Sequence, residues 1–481
     1  KTRSLIGGRG VTFSHYYSTY PLSCPSRTTL LTGEYAHNHR VLANKLPLGN
    51  TTVFCSYPGL VNHKEAMPAR LQDSGYRTIH VGRFLNGYPG GTAQGEPIND
   101  VPAGWDEWHT PVSASPGHDA ALYYGYTMND NGTISAPIGD ATYGQRNPAD
   151  YFTDVITQRA IDSIDSTDPS KPFFLEFDHR APHEDVRGPA GPQPSPAYDG
   201  SLRGLRLPHP PSLSEKDTSD KPRYVQAHGP PTKGQLKAIA FRNERRQESL
   251  RSVDDSVGKL IGALDARGLL DNTYILFFSD NGFFRGEHGF LKGKVRNYEP
   301  ATHVPLIVAG PGLPHGAVSA EHVANIDIAA TIFDMSGATP SPGLPLDGRS
   351  LLPFAQNPAL RSSRPILIEQ YTRPKGRLKL AGRARVSRNK PQEPDYQAII
   401  YDRYKFVRYA DGERELYDLV RDPNEMRSLQ RARGYRNVER FMGLELNILR
   451  ACDGAACRRN LVLYPPRPGA RSAPIPIPAT G

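Results

Sequence analysis

Between Leu250 and Gly312 the chain alternates helical and strand signals so plainly that few architectures stay open to it. Leu250, Val253, Val257, Leu260, Ile261 and Leu264 recur at the i, i+3/i+4, i+7 spacing of an amphipathic helix. Gly268 ends that pattern, Asp271-Asn272 turns the chain, and Tyr274 to Phe278 is an apolar run of strand length. The run stops at Ser279-Asp280-Asn281-Gly282; a second, Val304 to Ala309, stops at Gly310-Pro311-Gly312. Helices alternating with buried strands predict an α/β domain with helices on both faces. In such sheets the functional loops sit at the carboxyl ends of the strands.

The same reading extends outward. Gly7 to Gly10 forms a turn feeding the strand Val11-Thr12-Phe13. Cys24 to Gly33 begins a helix, with Pro25 in its first turn and Ser26 and Thr28 available for capping. Ala69 to Gly75 is a short helix before the strand Thr78 to Val81. Pro89 to Gly144, rich in Gly, Pro and Tyr, reads as surface loops. Tyr151 to Ile164 has helical spacing, and Pro172 to Phe177 is a buried strand. Pro182 to Pro231 is Pro-rich and aperiodic, which suits a functional lid or an insertion. After Pro365 the strands shorten, as in Ile399-Ile400-Tyr401 and Lys405-Phe406-Val407. A length of 481 residues exceeds what one core fills. The expected division is a large domain over 1–364, a small sheet domain over 365–464, and an extended Pro-rich tail over 465–481.

No window approaches the ~20 apolar residues that a membrane-spanning helix needs. Lys and Arg outnumber Asp and Glu by 58 − 49 = 9. The excess reads as a solvated basic face, or as steering of an anionic substrate such as a sulfated sugar; no nucleic-acid motif accompanies it. Cys452 and Cys457 share a polar loop that suits a local disulfide, while Cys24 and Cys55 stand apart. Together with two sequons, Asn50-Thr51-Thr52 and Asn131-Gly132-Thr133, that bridge points to a secreted or secretory-lumen protein.

Ser23-Cys24-Pro25-Ser26-Arg27, followed by Thr32-Gly33, resembles the signature of the sulfatase family, in its arylsulfatase and N-acetylglucosamine-6-sulfatase branch of the alkaline-phosphatase superfamily. Counting back from Pro25-Ser26-Arg27 puts Ser23 at the nucleophile position, where the family carries a cysteine oxidised to formylglycine. A second block is similar to the family as well: Ser279-Asp280-Asn281-Gly282, Gly286-Glu287-His288-Gly289, Gly293-Lys294 and Tyr298-Glu299. The resemblance implies one Ca2+ ion on Asp280 and Asn281, and Lys294 on the sulfate ester. The chemistry agrees, since a hard cation takes oxygen ligands, although Asp-Asn-Gly by itself is a common turn. Ala181-Pro182-His183 resembles the family segment whose histidine hydrogen-bonds the sulfate. Gly82-Arg83-Phe84-Leu85-Asn86-Gly87 resembles a family segment whose lysine bridges the aldehyde hydrate and the substrate; here Arg83 keeps the charge in a planar fork. His37-Asn38-His39 matches a scaffold segment. Glu415-Leu416-Tyr417-Asp418-Leu419, Asp422-Pro423 and Glu425 are similar to the closing strand and turn of the C-terminal domain.

The resemblance runs from about Thr12 to Leu429. It implies an α/β fold with an alkaline-phosphatase-like large mixed sheet flanked by helices, and a smaller C-terminal α+β domain containing a short antiparallel sheet. The first family strand, with its paired calcium-binding aspartates, would precede Lys1. The implied activity is hydrolysis of a small-molecule or carbohydrate sulfate ester by a formylglycine hydrate at position 23, installed by a maturase, with Ser23, Arg27, Arg83, His183 and Lys294 as catalytic residues. Neither nucleic acid nor membrane is an expected partner. Ser23 also admits other readings: an altered or modified cysteine, a serine oxidised by a different maturase, a silent relative that binds sulfated glycans, or a phosphate or phosphonate ester hydrolase that uses Ser23 directly.

Overall fold

The computed structural model describes residues 1–44, 46–48, 51–53, 64–86, 88, 97–112, 122–139, 146–185, 191–371, 393–462 and 465–469. Beside a two-stranded hairpin of Leu46–Leu48 and Thr51–Val53, the strands of the three larger sheets are β1 (Gly10–Tyr17), β2 (Arg77–Gly82), β3 (Glu107–Val112), β4 (Thr127–Asp130), β5 (Thr133–Ile134), β6 (Phe173–Asp178), β7 (Ile275–Phe278), β8 (His303–Ala309), β9 (Ala317–Ala324), β10 (Ile366–Gln370), β11 (Tyr396–Tyr401), β12 (Tyr404–Tyr409) and β13 (Arg414–Asp418). Two mixed sheets result. One runs β9-β1-β8-β7, with β1 parallel to β9 and antiparallel to β8. The other runs β5-β4-β3-β2-β6, with β2 parallel to both neighbours. The third sheet, β10-β11-β12-β13, is antiparallel throughout.

The main helices are α1 (Ser23–Thr32), α2 (Phe152–Asp165), α3 (Lys233–Ala266), α4 (Asp327–Ser336) and α5 (Arg436–Leu449). Ile164 of α2 and Val257, Ile261 and Leu264 of α3 share one core with Leu175 of β6 and Phe277 of β7. Both mixed sheets therefore bring an edge to the same pair of helices. Among the described residues β6 pairs only with β2, and β7 only with β8. Every position of both strands is half-buried, which corrects the expectation that residues 172–177 are buried.

The small sheet is sewn to the body by buried charge. Val438, Phe441, Met442 and Leu446 of α5 pack in one cluster with Ile399, Phe406 and Leu416 of the sheet and with Tyr17, Phe284 and Tyr298 of the body. Lys405 Nζ lies 2.8 Å from Glu425 and 3.3 Å from Glu299. Tyr298 Oη donates to Glu415 at 2.8 Å, and Glu299 N to Glu425 at 2.7 Å. The two motifs around 298 and 415–425 thus meet as a seam. Nearby, Arg364 grips Asp327 with two bonds of 2.7 and 2.5 Å, both side chains fully buried. Asp327 also accepts from the backbone N–H groups of Ala324 and Arg349. Such saturation offsets the desolvation that a buried ion pair otherwise costs.

Three further expectations change. Part of the region read as loops between Pro89 and Gly144 forms β3, β4 and β5. Its strand signal is masked by charge that is paired in place: His109 meets Glu107 at 2.9 Å and Asp130 at 2.6 Å. Helix α3 starts not at Leu250 but at Lys233, behind a capping box in which Thr232 and Gln235 bond each other's backbone. In α1 the N-cap is Leu22 rather than Ser26 or Thr28, because the Ser26 hydroxyl is spent on Asp280 O at 2.6 Å. Gly33, at φ 74°, closes that helix as a left-handed cap. Cys452 and Cys457 are bonded, with S–S 2.01 Å, and Cys24 is a buried thiol. His37-Asn38-His39 is scaffold by its contacts: His37 bonds Glu369 and Cys452 O, and Asn38 bonds Asp347. Residues 182–231 carry short turns at Pro211–Ser214 and Arg223–Gln226 where they are described. No helix among the described residues is long and apolar enough to cross a membrane. Asn50, Cys55 and residues 470–481 lie outside the described residues.

Candidate active site

The carboxyl ends of β6 and β7 converge on the start of α1. Arg27, one turn into that helix, ties the three together. Its Nη1 donates to Asp178 Oδ2 and to Arg83 O, each at 2.7 Å, and its Nε lies 3.4 Å from Asp280 Oδ2. Ser23, the first residue of α1, is 8% exposed and receives the Lys294 ammonium at 2.6 Å. Lys294 Nζ also donates to Asn281 Oδ1 at 3.0 Å. The backbone next to Ser23 is fixed by Asn44, whose Oδ1 accepts from Cys24 N at 3.0 Å.

Local backbone features place these groups. Gly82, at φ 109°, lets the end of β2 approach β6 so closely that a Cβ there would stand 2.1 Å from Asp178 O. Arg83 follows directly, its N–H on Asp178 O at 3.0 Å and its Nη2 on Asn86 Oδ1 at 3.1 Å. Beside Lys294, Val295 takes φ 88°, rare for a β-branched residue. It is clamped on both sides: Val295 N donates to Pro21 O at 3.0 Å, and Val295 O accepts from Tyr396 Oη of the small sheet at 2.6 Å.

Burial lowers the proton affinity of Lys294; Asp280 opposes this, while Arg83 and Arg27 reinforce it. His183, in the loop after β6, is exposed; partial desolvation and then the charges of Arg180, Arg83 and Lys294 lower its pKa from the ordinary histidine range. Its Nδ1 lies 3.1 Å from Glu184 O, so it stands at the rim of the cluster and not on Ser23. All seven residues singled out in the sequence are thus placed, six of them in one contiguous network, with His183 beside it.

Three residues that the sequence reading passed over complete the arrangement. Asp178 closes β6; burial would raise its pKa, but Arg27 and His80 hold it near 2. Glu176 is pushed up by burial and by the neighbouring Asp178 carboxylate. His80 is fully buried, with its Nδ1 on Thr110 Oγ1 at 2.7 Å and its Nε2 3.9 Å from Asp178. Ligand atoms of His80, Glu176 and Asp178 all lie within 4.8 Å of one another. His80 Nε2 and Glu176 Oε2 are buried beside Asp178 with no hydrogen bond among the described residues. With Asp280 and Asn281 across Arg27, the site offers the oxygen-rich donor set that a hard cation takes. The sequence did carry a signal here: Glu176 is a charge inside the apolar run Phe173 to Phe177, and His80 sits inside Thr78 to Val81.

A hydroxyl at a helix start that meets a lysine ammonium, with an arginine one turn on and another at a strand end, is an arrangement suited to an oxyanion in an α/β protein. Residues 3–338 match the Sulfatase family, and residues 286–451 match the family described as N-sulphoglucosamine sulphohydrolase, C-terminal. The chain belongs to the sulfatase family. It is 30% identical over 490 residues to the N-acetylglucosamine-6-sulfatase of Capra hircus, covering 97% of this chain and 82% of that one. It is 35% identical over 356 residues to a putative extracellular sulfatase Sulf-1 homolog of Caenorhabditis elegans, covering 73% of this chain but only 45% of that relative's length. A solved structure, described as in complex with its substrate D-glucosamine-2-N,6-O-disulfate, superposes with TM-score 0.68 at 22% identity, over 92% of this chain and 90% of that one. This last likeness concerns the fold.

Proposed function

We propose that the chain is a sulfuric ester hydrolase whose substrate is a carbohydrate sulfate monoester. The observation that carries this reading is the bridge from Lys294 to both Ser23 Oγ and Asn281 Oδ1, at 2.6 and 3.0 Å. It joins the nucleophile position to the candidate metal residues through the one group suited to hold a sulfuryl oxygen between them. Residues 1–364 form the catalytic part in this reading, and 365–464 the small sheet domain that buttresses it.

The roles follow from charge and position. Lys294 and Arg83 neutralise charge that builds on the transferring sulfuryl oxygens. Arg27 holds Asp178, Asp280 and the Arg83 backbone in register. His183, neutral, hydrogen-bonds an oxygen without adding a cation. Calcium bound by Asp280 and Asn281, with Asp178 beside them, would act as a Lewis acid on a sulfate oxygen. An oxidised position 23, as its aldehyde hydrate, would supply the second geminal oxygen that frees sulfate by carbon–oxygen cleavage. An unmodified Ser23 can form the Oγ–S bond as the ester oxygen leaves with a proton, but it then releases sulfate only by slow attack of water at sulfur.

The disulfide and the Asn131 turn support a secreted or lumenal setting. Asn131 is exposed at φ 52°, with its Oδ1 accepting from Trp108 N at 2.6 Å. Peptide mass spectrometry tests the nucleophile: maturation removes two hydrogens from residue 23 and accompanies turnover of an aryl sulfate. An unmodified Ser23 that turns over no sulfate ester would sink the reading. The intact hydroxyl on Lys294 favours one second reading, a phosphate or phosphonate ester hydrolase with Ser23 as direct nucleophile. A preference for aryl phosphonate over aryl sulfate would establish it.

A further inference from the structure

The upstream half of α3, the part that lacks a simple apolar stripe, carries positive charge for which the catalytic network has no use. Arg242, Arg245 and Arg246 leave the helix within about one turn, and Arg285 approaches from the segment joining Asn281 to Lys294. Arg245 is matched by Asp199 and Glu248. The other three are matched more loosely. Within 4 Å, among the described residues, they meet only two carboxylates, both at 3.5 Å: Glu184 against Arg246 and Glu287 against Arg285. Arg242 donates to Leu291 O and Arg285 to Asn243 Oδ1, each at 3.5 Å.

Arg246 is the buried centre of this group, at 9% exposure. Its guanidinium lies 4.0 Å from the centroid of the Phe283 ring, a stacked seat that fixes the plane of the fork. Desolvation, then the like charges of Arg242 and Arg285, lower its pKa to about 10 against the pull of Glu184. Clustered guanidinium groups at a partly desolvated position are costly unless an anion joins them.

The cluster adjoins the catalytic loops directly. Glu184 is the residue after His183, Phe283 is two residues beyond Asn281, and Leu291 is three before Lys294. Arg180, 5.5 Å from the Tyr123 ring, links the two groups electrostatically: its charge acts on His183, and the Tyr123 phenol feels both Arg180 and Arg246.

We propose that Arg242, Arg246 and Arg285 form a second anion subsite, which holds a further sulfate or carboxylate of a polyanionic glycan while the scissile ester lies at Ser23. This rests on the sulfate-ester reading above and specifies its substrate: a glycan bearing at least two acidic groups within reach of one another, not an isolated monoester. Guanidinium forks match both sulfate and carboxylate, and Arg242 and Arg285, each half-buried, can close on such a group from two sides.

The test is a binding cycle on the full chain. A heparin-derived tetrasaccharide is titrated by calorimetry at low salt against wild type, Arg242→Gln/Arg285→Gln, and Arg246→Gln. Two altered ligands, one carboxyl-reduced and one N-desulfated, are run beside it. We expect a loss of affinity of about tenfold in the double variant, shrinking as salt rises. One of the two ligand alterations should weaken wild type but leave the double variant indifferent, which names the group the subsite holds. Arg246→Lys, which keeps the charge, should recover part of the loss from Arg246→Gln, guarding against a folding artefact. Affinities within twofold of wild type in both Gln variants would overturn the proposal, as would equal sensitivity of wild type and double variant to both ligand alterations. Failure of the sulfate-ester reading shows elsewhere, in aryl sulfate turnover, and leaves these isotherms interpretable.

Discussion

The seam under the small sheet and the strand ends around Ser23 bury similar charges and treat them in opposite ways. At the seam Lys405 lies between Glu299 and Glu425, Arg364 is clasped by Asp327, and Glu415 accepts from Tyr298, Tyr409 and Tyr417. Each cation has its counter-ion inside the protein. At the strand ends three cations, Arg27, Arg83 and Lys294, gather around two carboxylates, Asp178 and Asp280. A closed charge network holds structure. An open one, with cations in excess, holds a ligand.

That contrast can be broken experimentally. The largest effect should fall on the seam: Arg364→Ala leaves Asp327 buried without its cation and should cost about 3–5 kcal/mol in denaturant unfolding. A loss below ~1 kcal/mol would mean the seam is not what secures the small sheet. At the strand ends the same kind of deletion should do the reverse. Lys294→Met should lower kcat by roughly 10²–10³-fold, with the melting temperature unchanged or raised, because it relieves a like-charge cluster; equal damage to stability would erase the distinction.

Glu34 sharpens the comparison as an exception near the seam. It is 7% exposed, and burial, then Asp347 and Asp453, raise its pKa to about 7. Its folded value exceeds the unfolded value of 4.5, so the native state binds the proton more tightly and stability falls as pH rises from about 4.5 to 7. Glu34→Gln should therefore stabilise the protein at pH 8, by on the order of 1–3 kcal/mol, with the advantage vanishing near pH 4.5. The smallest expected effect is on the exposed His183, whose NMR titration should lie below 6.5 because Arg180, Arg83 and Lys294 disfavour its cation. An inflection at or above 6.5 would mean that those charges do not reach it.

Much of this was legible in the sequence where local rules decide the outcome. The 3.6-residue stripe around Val257 and the apolar runs ending at Asn281 and Ala309 gave the α/β body, and the spacing from Ser23 to Arg27 and from Asp280 to Lys294 gave the residues that meet. What stayed hidden depends on partners remote in the chain. Asp178 is defined by Arg27, 151 positions away, and Glu107-Trp108-His109 looks unlike a strand until Asp130 and Arg77 neutralise it. The polar start of α3 shows no stripe, because its arginines face the loops around His183 and Phe283 and not an apolar core.

Val295 ties the two regions together. A branched side chain on a left-handed backbone sits uphill by on the order of 1–3 kcal/mol, so the peptide beside the Lys294 ammonium acts as a cocked spring, with Pro21 as one latch and Tyr396 as the other. Heat or denaturant that frays β11 would release the second latch first. Chemistry should then fall silent at a milder dose than the one that melts the large sheets.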